Sequence, residues 1–481
     1  MVPVHDATLG GPTGSGRVTT AAVNRATTPF IGFLLTTFAT VMATVAFFPD
    51  QPAPRGALML PALVLSAGLL LVPAARAASG SPEATNAENF VMIGLVFWLL
   101  LDLLQGAYDL RQASNQALRD ALLSIGVSAA AVWLGVLGRP WKAPSWLAEV
   151  ASRPLETRAI RRLVPVCFLL GMFNFAYAVD FNIPVIFSYL GANRWSAPWS
   201  RGQLGGWNAF IDQMPYFGYV LPSLTALLIA RQGLARFSTL FAAACSIVML
   251  LFLAQGGGRR LIGVTAGAAL IVWVQAQPAK RFRNLVVVSV GAVVLAWTSQ
   301  FILNIRSEGI DAFLQRGSEY DYLHVDDNFL RLAQAIEIVP GQRPYVGTGQ
   351  VLYALVRPIP RVFWPNKPID GGFDLSREVG LKGVSLSMSI IGEWYISWGW
   401  FAVAFGGWLH GRLAKAANTL REQGISSRNP IVFGLSVMVL IAGLRSMLDL
   451  IIMSYALVAW WAVNRFLLSR RADGHLAATS Y

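Results

Sequence analysis

Across 481 residues the chain has two cysteines, four histidines and few charges, with 13% of positions Asp, Glu, Lys or Arg. Cys167 and Cys245 both lie inside apolar runs, which excludes a disulfide framework and a cysteine metal site and leaves the redox compartment unread. His5, His410 and His475 fall in the tails or at the inner end of an apolar run. No metal-ligand spacing stands out, and no DxD-type acidic pair opens a Rossmann-like nucleotide domain. The glycine-rich GPTGSGRV at 11–18 lacks both the Lys-Ser/Thr ending and the preceding strand of a phosphate-binding loop. Acid is scarcer than base, 25 Asp and Glu against 38 Lys and Arg, for a net charge of +13 and an isoelectric point near 10.1. The basic residues are scattered between apolar segments and form no stripe, so no nucleic acid is expected as a partner.

Long hydrophobic runs are what the chain does have. Hydrophobic residues make up 55% of it, and its mean hydropathy is +0.53. These values predict an all-α, polytopic integral membrane protein. Apolar runs at 29–48, 57–75, 90–108, 119–137, 163–181, 208–230, 237–255, 261–277, 285–303, 389–410, 430–448 and 450–468 predict about 12 transmembrane helices. The division that follows is a flexible tail at 1–28, a bundle of nine spans at 29–303, one long connection at 304–388, three spans at 389–468 and a second tail at 469–481. With the N-terminus inside, the inner connections collect Arg139, Lys142, Arg153, Arg158, Arg161 and Arg162, then Lys280, Arg281 and Arg283, then Arg412, Lys415, Arg421 and Arg428. Lys and Arg concentrate on inner connections, so both termini are expected in the cytoplasm and the long connection outside.

That connection is too aromatic and β-branched for disorder, and a connection of such length is usually functional. Asp326 and Asp327 can cap a short helix through Phe329, Leu332, Ala333 and Ile336 that stops at Pro340-Gly341. A second short helix is expected from Gln350 to Arg357, followed by extended, semi-rigid backbone through Pro358, Pro360, Pro365 and Pro368.

Cations on the outer side break the orientation rule and need a reason. They are Arg194, Arg201, Arg259, Arg260, Arg357, Arg361, Lys367 and Arg445. Arg259 and Arg260 follow three glycines, a pattern that suits anion binding by backbone amides and guanidinium forks, or snorkelling to headgroups. Arg194 and Arg201 alternate with three tryptophans, which either stack on sugar faces or belong to the interfacial belt. In 351–368, VLYALVRPIPRVFWPNKP, one cation can hold a phosphate while another orients the loop or pairs with Asp370 or Asp374. Trp364 suits sugar stacking or packing on the membrane surface. Acids near the same face are Asp180, Asp212, Asp321, Asp326, Asp327, Glu393 and Asp449, while Asp102 is expected in the middle of a span. Glu393 opens the span after the long connection and is the first candidate for a general base; His324, on the connection, is the second.

The combination of GGGRR (256–260), VRPIPRVFWPNKP (356–368) and SMSIIGEWYISWGW (387–400) resembles bacterial O-antigen and exopolysaccharide repeat-unit polymerases of the Wzy type. The matching residues are Pro360, Arg361, Trp364, Pro365, Lys367, Pro368, Gly392 and Glu393. The resemblance implies a GT-C-like glycosyltransferase of the bacterial inner membrane, with its active site facing the periplasm and no required metal or other cofactor. Its substrate would be an undecaprenyl-pyrophosphate-linked glycan set among membrane lipids, with room for a chain-length regulator protein as a partner. Arginines of the periplasmic loops would bind the pyrophosphate: Arg259, Arg260, Arg357 and Arg361 first, with Arg194, Arg201 and Arg445 behind them. A flippase for lipid-linked oligosaccharides, and a ligase that differs only in its acceptor, are the alternatives.

Overall fold

In a bilayer a backbone amide finds no water, so an apolar chain must satisfy its hydrogen bonds within each segment. A computed structural model describes residues 15–50, 55–190, 196–199, 208–255, 259–308, 322–381 and 386–468, and among these residues every regular element is helical. Eight helices are long and apolar enough to cross a membrane. They are Thr27–Ala46, Met59–Ala78, Ala87–Leu104, Asn115–Leu137, Thr157–Tyr177, Phe237–Gln255, Val286–Leu303 and Met447–Phe466. The chain is therefore a polytopic helical protein of membrane type.

Four of the twelve expected spans do not reach that standard. The run at 208–230 divides into Asn208–Ile211, Pro215–Gly218 and Leu221–Gln232, because Pro215 and Pro222 each sit in the first turn of a new helix, where proline costs no backbone bond. Arg259–Ala276 and Ile431–Gly443 are short. The run at 389–410 becomes the front of a 39-residue helix, Ser389–Ser427, which is kinked where Trp398 and Gly399 leave helical geometry.

The centre of the first half is the contact between Asn115–Leu137 and Ser389–Ser427. Gly407 and Gly411 are four apart on the long helix and so lie on one face. A Cβ on Gly407 would come within 2.3 Å of the Ser128 carbonyl oxygen, one on Gly411 within 2.1 Å of that of Val132, and one on Gly135 within 2.3 Å of that of Trp408. Small residues let two backbones touch, the contact that holds helices together where lipid supplies no hydrophobic drive.

Two ends of the bundle are polar. At one, Arg76 is 6% exposed and donates to Glu88 at 2.9 Å and to Asn89 at 3.0 Å, while Asn418 donates to Glu88 at 2.7 Å. At the other, the long connection packs onto the helix ends. Its helix Asn328–Ile338 buries Phe329, Leu332, Ala333 and Ile336 in the main core, as its apolar spacing requires. The helix Gly349–Val356 also forms where expected. Asp327 stands at the cap position of Asn328–Ile338 but does not cap it; its backbone is left-handed, φ +38°, and its side chain faces elsewhere.

Candidate functional site

The end that carries the long connection holds most of the expected site residues. Helix Ile431–Gly443 stops short, and a new helix starts at Met447 with Ser446 accepting from the Asp449 amide at 2.9 Å. The break between them presents Arg445, which donates through Nε to Asp326 at 2.6 Å and through Nη1 to Asp449 at 3.1 Å. Arg260 Nη1 reaches the same Asp449 carboxylate at 3.1 Å. Asp449 is 3% exposed, and two guanidiniums offset the cost of burying its charge.

Glu393 lies beside this group. It is 8% exposed, and its Oε2 accepts from the Met447 amide, the first donor of the last long helix. Asp449 and Arg445 are both within its electrostatic reach. The carboxylate thus caps a helix N-terminus, where negative charge is favoured, and it faces the charged group that fixes the end of the bundle.

Segment 351–368 differs from its expected extended form. After Gly349–Val356 the backbone turns repeatedly, with Phe363 and Trp364 amides both donating to the Pro360 carbonyl and the Lys367 amide to that of Trp364. Lys367 is 6% exposed, and its Nζ donates to the Arg357 carbonyl at 3.2 Å and the Ile359 carbonyl at 2.6 Å. Burial first, then the Arg357 and Arg361 charges, push its ammonium below the usual lysine range. Arg361 Nη1 donates to the Pro365 and Lys367 carbonyls, 3.1 Å each. Proline has no amide to offer in return, so the side chains of Arg361 and Lys367 supply the donors that close the turn. Asp370 and Asp374, expected as possible partners of the arginines, instead accept from the Gly372 and Ser376 amides of their own turns.

Arg357 is then left without a hydrogen bond or ion pair to its guanidinium among the described residues. It lies half-buried within electrostatic reach of Tyr455. The Tyr455 ring packs edge-on against Tyr216 at 5.1 Å, and Tyr216 in turn lies within reach of Arg260 and Asp449. Trp364, 37% exposed, belongs to an apolar surface with Ile359, Phe363 and Ile369, which fits packing on a membrane surface.

His324 lies with a different set of neighbours from those of Glu393. Its Nδ1 is 3.5 Å from the Tyr322 hydroxyl and 3.7 Å from Asp327 Oδ1. Asp102, expected mid-span, sits two residues before the end of Ala87–Leu104, where its Oδ1 accepts from the Val325 amide at 3.2 Å. Arg194, Arg201, Asp321, the three glycines at 256–258 and the Arg259 side chain lie outside the described residues. From the sequence, Asp326 and Asp449 stood among the acids of the outer face, Asp326 also as a possible helix cap, with pairing to the surplus arginines as the plain alternative to a functional role. Arg445 was one of those arginines, and it takes both acids.

The chain matches no protein-family model, no curated protein and no solved structure.

Proposed function

We propose that the chain polymerises undecaprenyl-pyrophosphate-linked repeat units at the periplasmic face of the bacterial inner membrane. On this reading there are 12 spans in a GT-C-like arrangement, both termini are cytoplasmic, and the chain is a glycosyltransferase of the O-antigen and exopolysaccharide polymerase type. The observation that carries the proposal is Arg357, a half-buried guanidinium without an acidic partner among the described residues, held by its own carbonyl to Lys367 and within electrostatic reach of Tyr455. A half-buried cation with its acids spent elsewhere is a ready site for an anion. Leu352, Leu355, Phe363 and Ile369 are exposed on the same segment, which suits an anion that arrives on a lipid.

In this scheme the acceptor hydroxyl oxygen attacks the donor's anomeric carbon as the C–O bond to pyrophosphate breaks. The bonding pair leaves on the pyrophosphate, and Arg357 and Arg260 bind the charge that grows there. The acceptor proton passes to a single base. Glu393 is first choice because its carboxylate is buried beside Arg445 and Asp449; His324 is second. Glu393→Gln keeps an oxygen to accept from Met447 while removing the base, so it separates capping from catalysis. Loss of polymerisation by the well-folded variant supports Glu393; full activity transfers the role away from it.

The surplus cations at the end that carries the long connection favour an enzyme over a flippase, whose polar groups concentrate near the bilayer midplane. A ligase would share this chemistry and differ in acceptor. The glycan of a deletion strain discriminates: single repeat units without long polymer indicate a polymerase, and unattached polymer a ligase.

A further inference from the structure

Asp102, His324 and Asp327 come from segments more than two hundred positions apart, yet each offers a ligand atom and all three atoms lie within 4.8 Å of one another. Arg445 is engaged by Asp326 and Asp449, and Arg331 reaches Asp327 Oδ2 at 3.4 Å. Asp102, 4% exposed, receives backbone amides of the 325–326 segment and lies near two more carboxylates, Asp326 and Asp327. A buried carboxylate in such company calls for a cation.

The Tyr108 hydroxyl, shielded from solvent beside the Leu330 backbone, lies within electrostatic reach of Asp102 and Asp327. Gln300 accepts from the His324 amide through Oε1 at 3.1 Å while its buried Nε2 has no acceptor. The His324 Nδ1 to Asp327 Oδ1 separation of 3.7 Å is too long for a hydrogen bond. Two bonds of about 2.1 Å at the tetrahedral angle set ligand atoms about 3.4 Å apart, so this pair is a few tenths of an ångström from the spacing a shared ion imposes.

We propose that Asp102, His324 and Asp327 form a binding site for one divalent transition-metal ion that ties the 322–327 segment to the end of helix Ala87–Leu104. One imidazole and two carboxylates suit Zn²⁺ or Mn²⁺, whereas Mg²⁺ and Ca²⁺ favour all-oxygen sites. The ligand atoms lie within 4.8 Å of one another, so bringing the widest pair to that spacing takes a closure of up to about 1.4 Å. Bound there, the ion would hold the residue before Asp327 in place, and that residue, Asp326, is the one that grips Arg445.

The site does not depend on the glycosyl-transfer reading, and its test needs no activity. Full-length, tag-free protein in detergent, stripped with a chelator, is titrated with Mn²⁺ and Zn²⁺ in competition with a fluorescent chelator, and the Mn²⁺ complex is examined by electron paramagnetic resonance. The wild type is expected to bind about one equivalent, with Asp102→Asn, His324→Gln and Asp327→Asn each at least about tenfold weaker, and nitrogen coupling lost in His324→Gln. Variants are compared only where the metal-free protein keeps the wild-type elution profile. Three variants on two segments guard against misfolding of any one. Arg357→Ala is expected to bind as the wild type does. Absence of binding by the wild type, or equal affinity in the ligand variants, overturns the site.

Discussion

Arg445 and Asp326 stand 119 positions apart in the chain and meet Nε to Oδ2 at 2.6 Å. The contact fastens the long connection to the break between the last two helices, and through Asp449 the same guanidinium is linked to Arg260. Arg445→Ala would leave the deeply buried Asp449 with Arg260 as its remaining guanidinium and would take the Arg445 guanidinium from Asp326. Removing one partner of a buried pair costs about 3–5 kcal/mol; the side chains here are partly exposed, so the lower end is expected. A double-mutant cycle of Arg445→Ala with Asp326→Asn, read by thermal unfolding in detergent, should return a coupling above about 1 kcal/mol. Additive losses would mean that the pair does not fasten the connection.

At the opposite end, Glu88 is 1% exposed and is held by Arg76 and Asn418. Glu88→Ala strands the Arg76 guanidinium, with Glu83 as its remaining acid at 3.2 Å. A loss of about 3–5 kcal/mol is expected, read as a fall in Tm. Glu88→Gln, which can still accept from one partner and donate to another, should lose clearly less.

Gly411 is a position where size alone decides. A methyl there meets the Val132 carbonyl at 2.1 Å, and backbone cannot swing aside. Gly411→Ala is expected to cost about 1–3 kcal/mol or more. Gly263, also helical, has nothing within 4 Å of the same atom, so Gly263→Ala should be neutral or stabilising by up to about 1 kcal/mol. Equal effects of the two substitutions on Tm would contradict the close helix contact.

Lys367 gives a dependence on pH. Its folded ammonium binds a proton less tightly than the unfolded chain, whose lysine titrates near 10.5. The burial cost is therefore fully present below the folded value and is relieved as pH rises toward the unfolded one. Lys367→Met cannot titrate. The Tm of the wild type minus that of Lys367→Met should increase through the alkaline range, and a decrease would contradict the buried-ammonium account.

The spans that were legible are those whose apolar run is long and unbroken, such as Asn115–Leu137 and Phe237–Gln255. The run at 208–230 was just as apolar in its second half, but Pro215 and Pro222 start new helices inside it. The two short helices of the connection were readable because their periodicity and their turn residues are local. The site was legible only as a set of residue types. That Arg361 and Lys367 would spend their donors on carbonyls, leaving Arg357 unpaired among the described residues, depends on how four prolines turn the backbone. Likewise the meeting of Asp102 with His324 and Asp327 depends on tertiary packing, which no spacing in the chain encodes.

The central claim is that Arg357 binds the pyrophosphate of a lipid-linked glycan during glycosyl transfer. It is tested most directly by incubating purified protein with undecaprenyl-pyrophosphate-linked repeat units and measuring product length. The wild type should build polymer, and Arg357→Ala, folded as judged by its elution profile and Tm, should be slowed by about 10²-fold or more. Failure of the wild type to lengthen the glycan, or an Arg357→Ala variant as fast as the wild type, would contradict it.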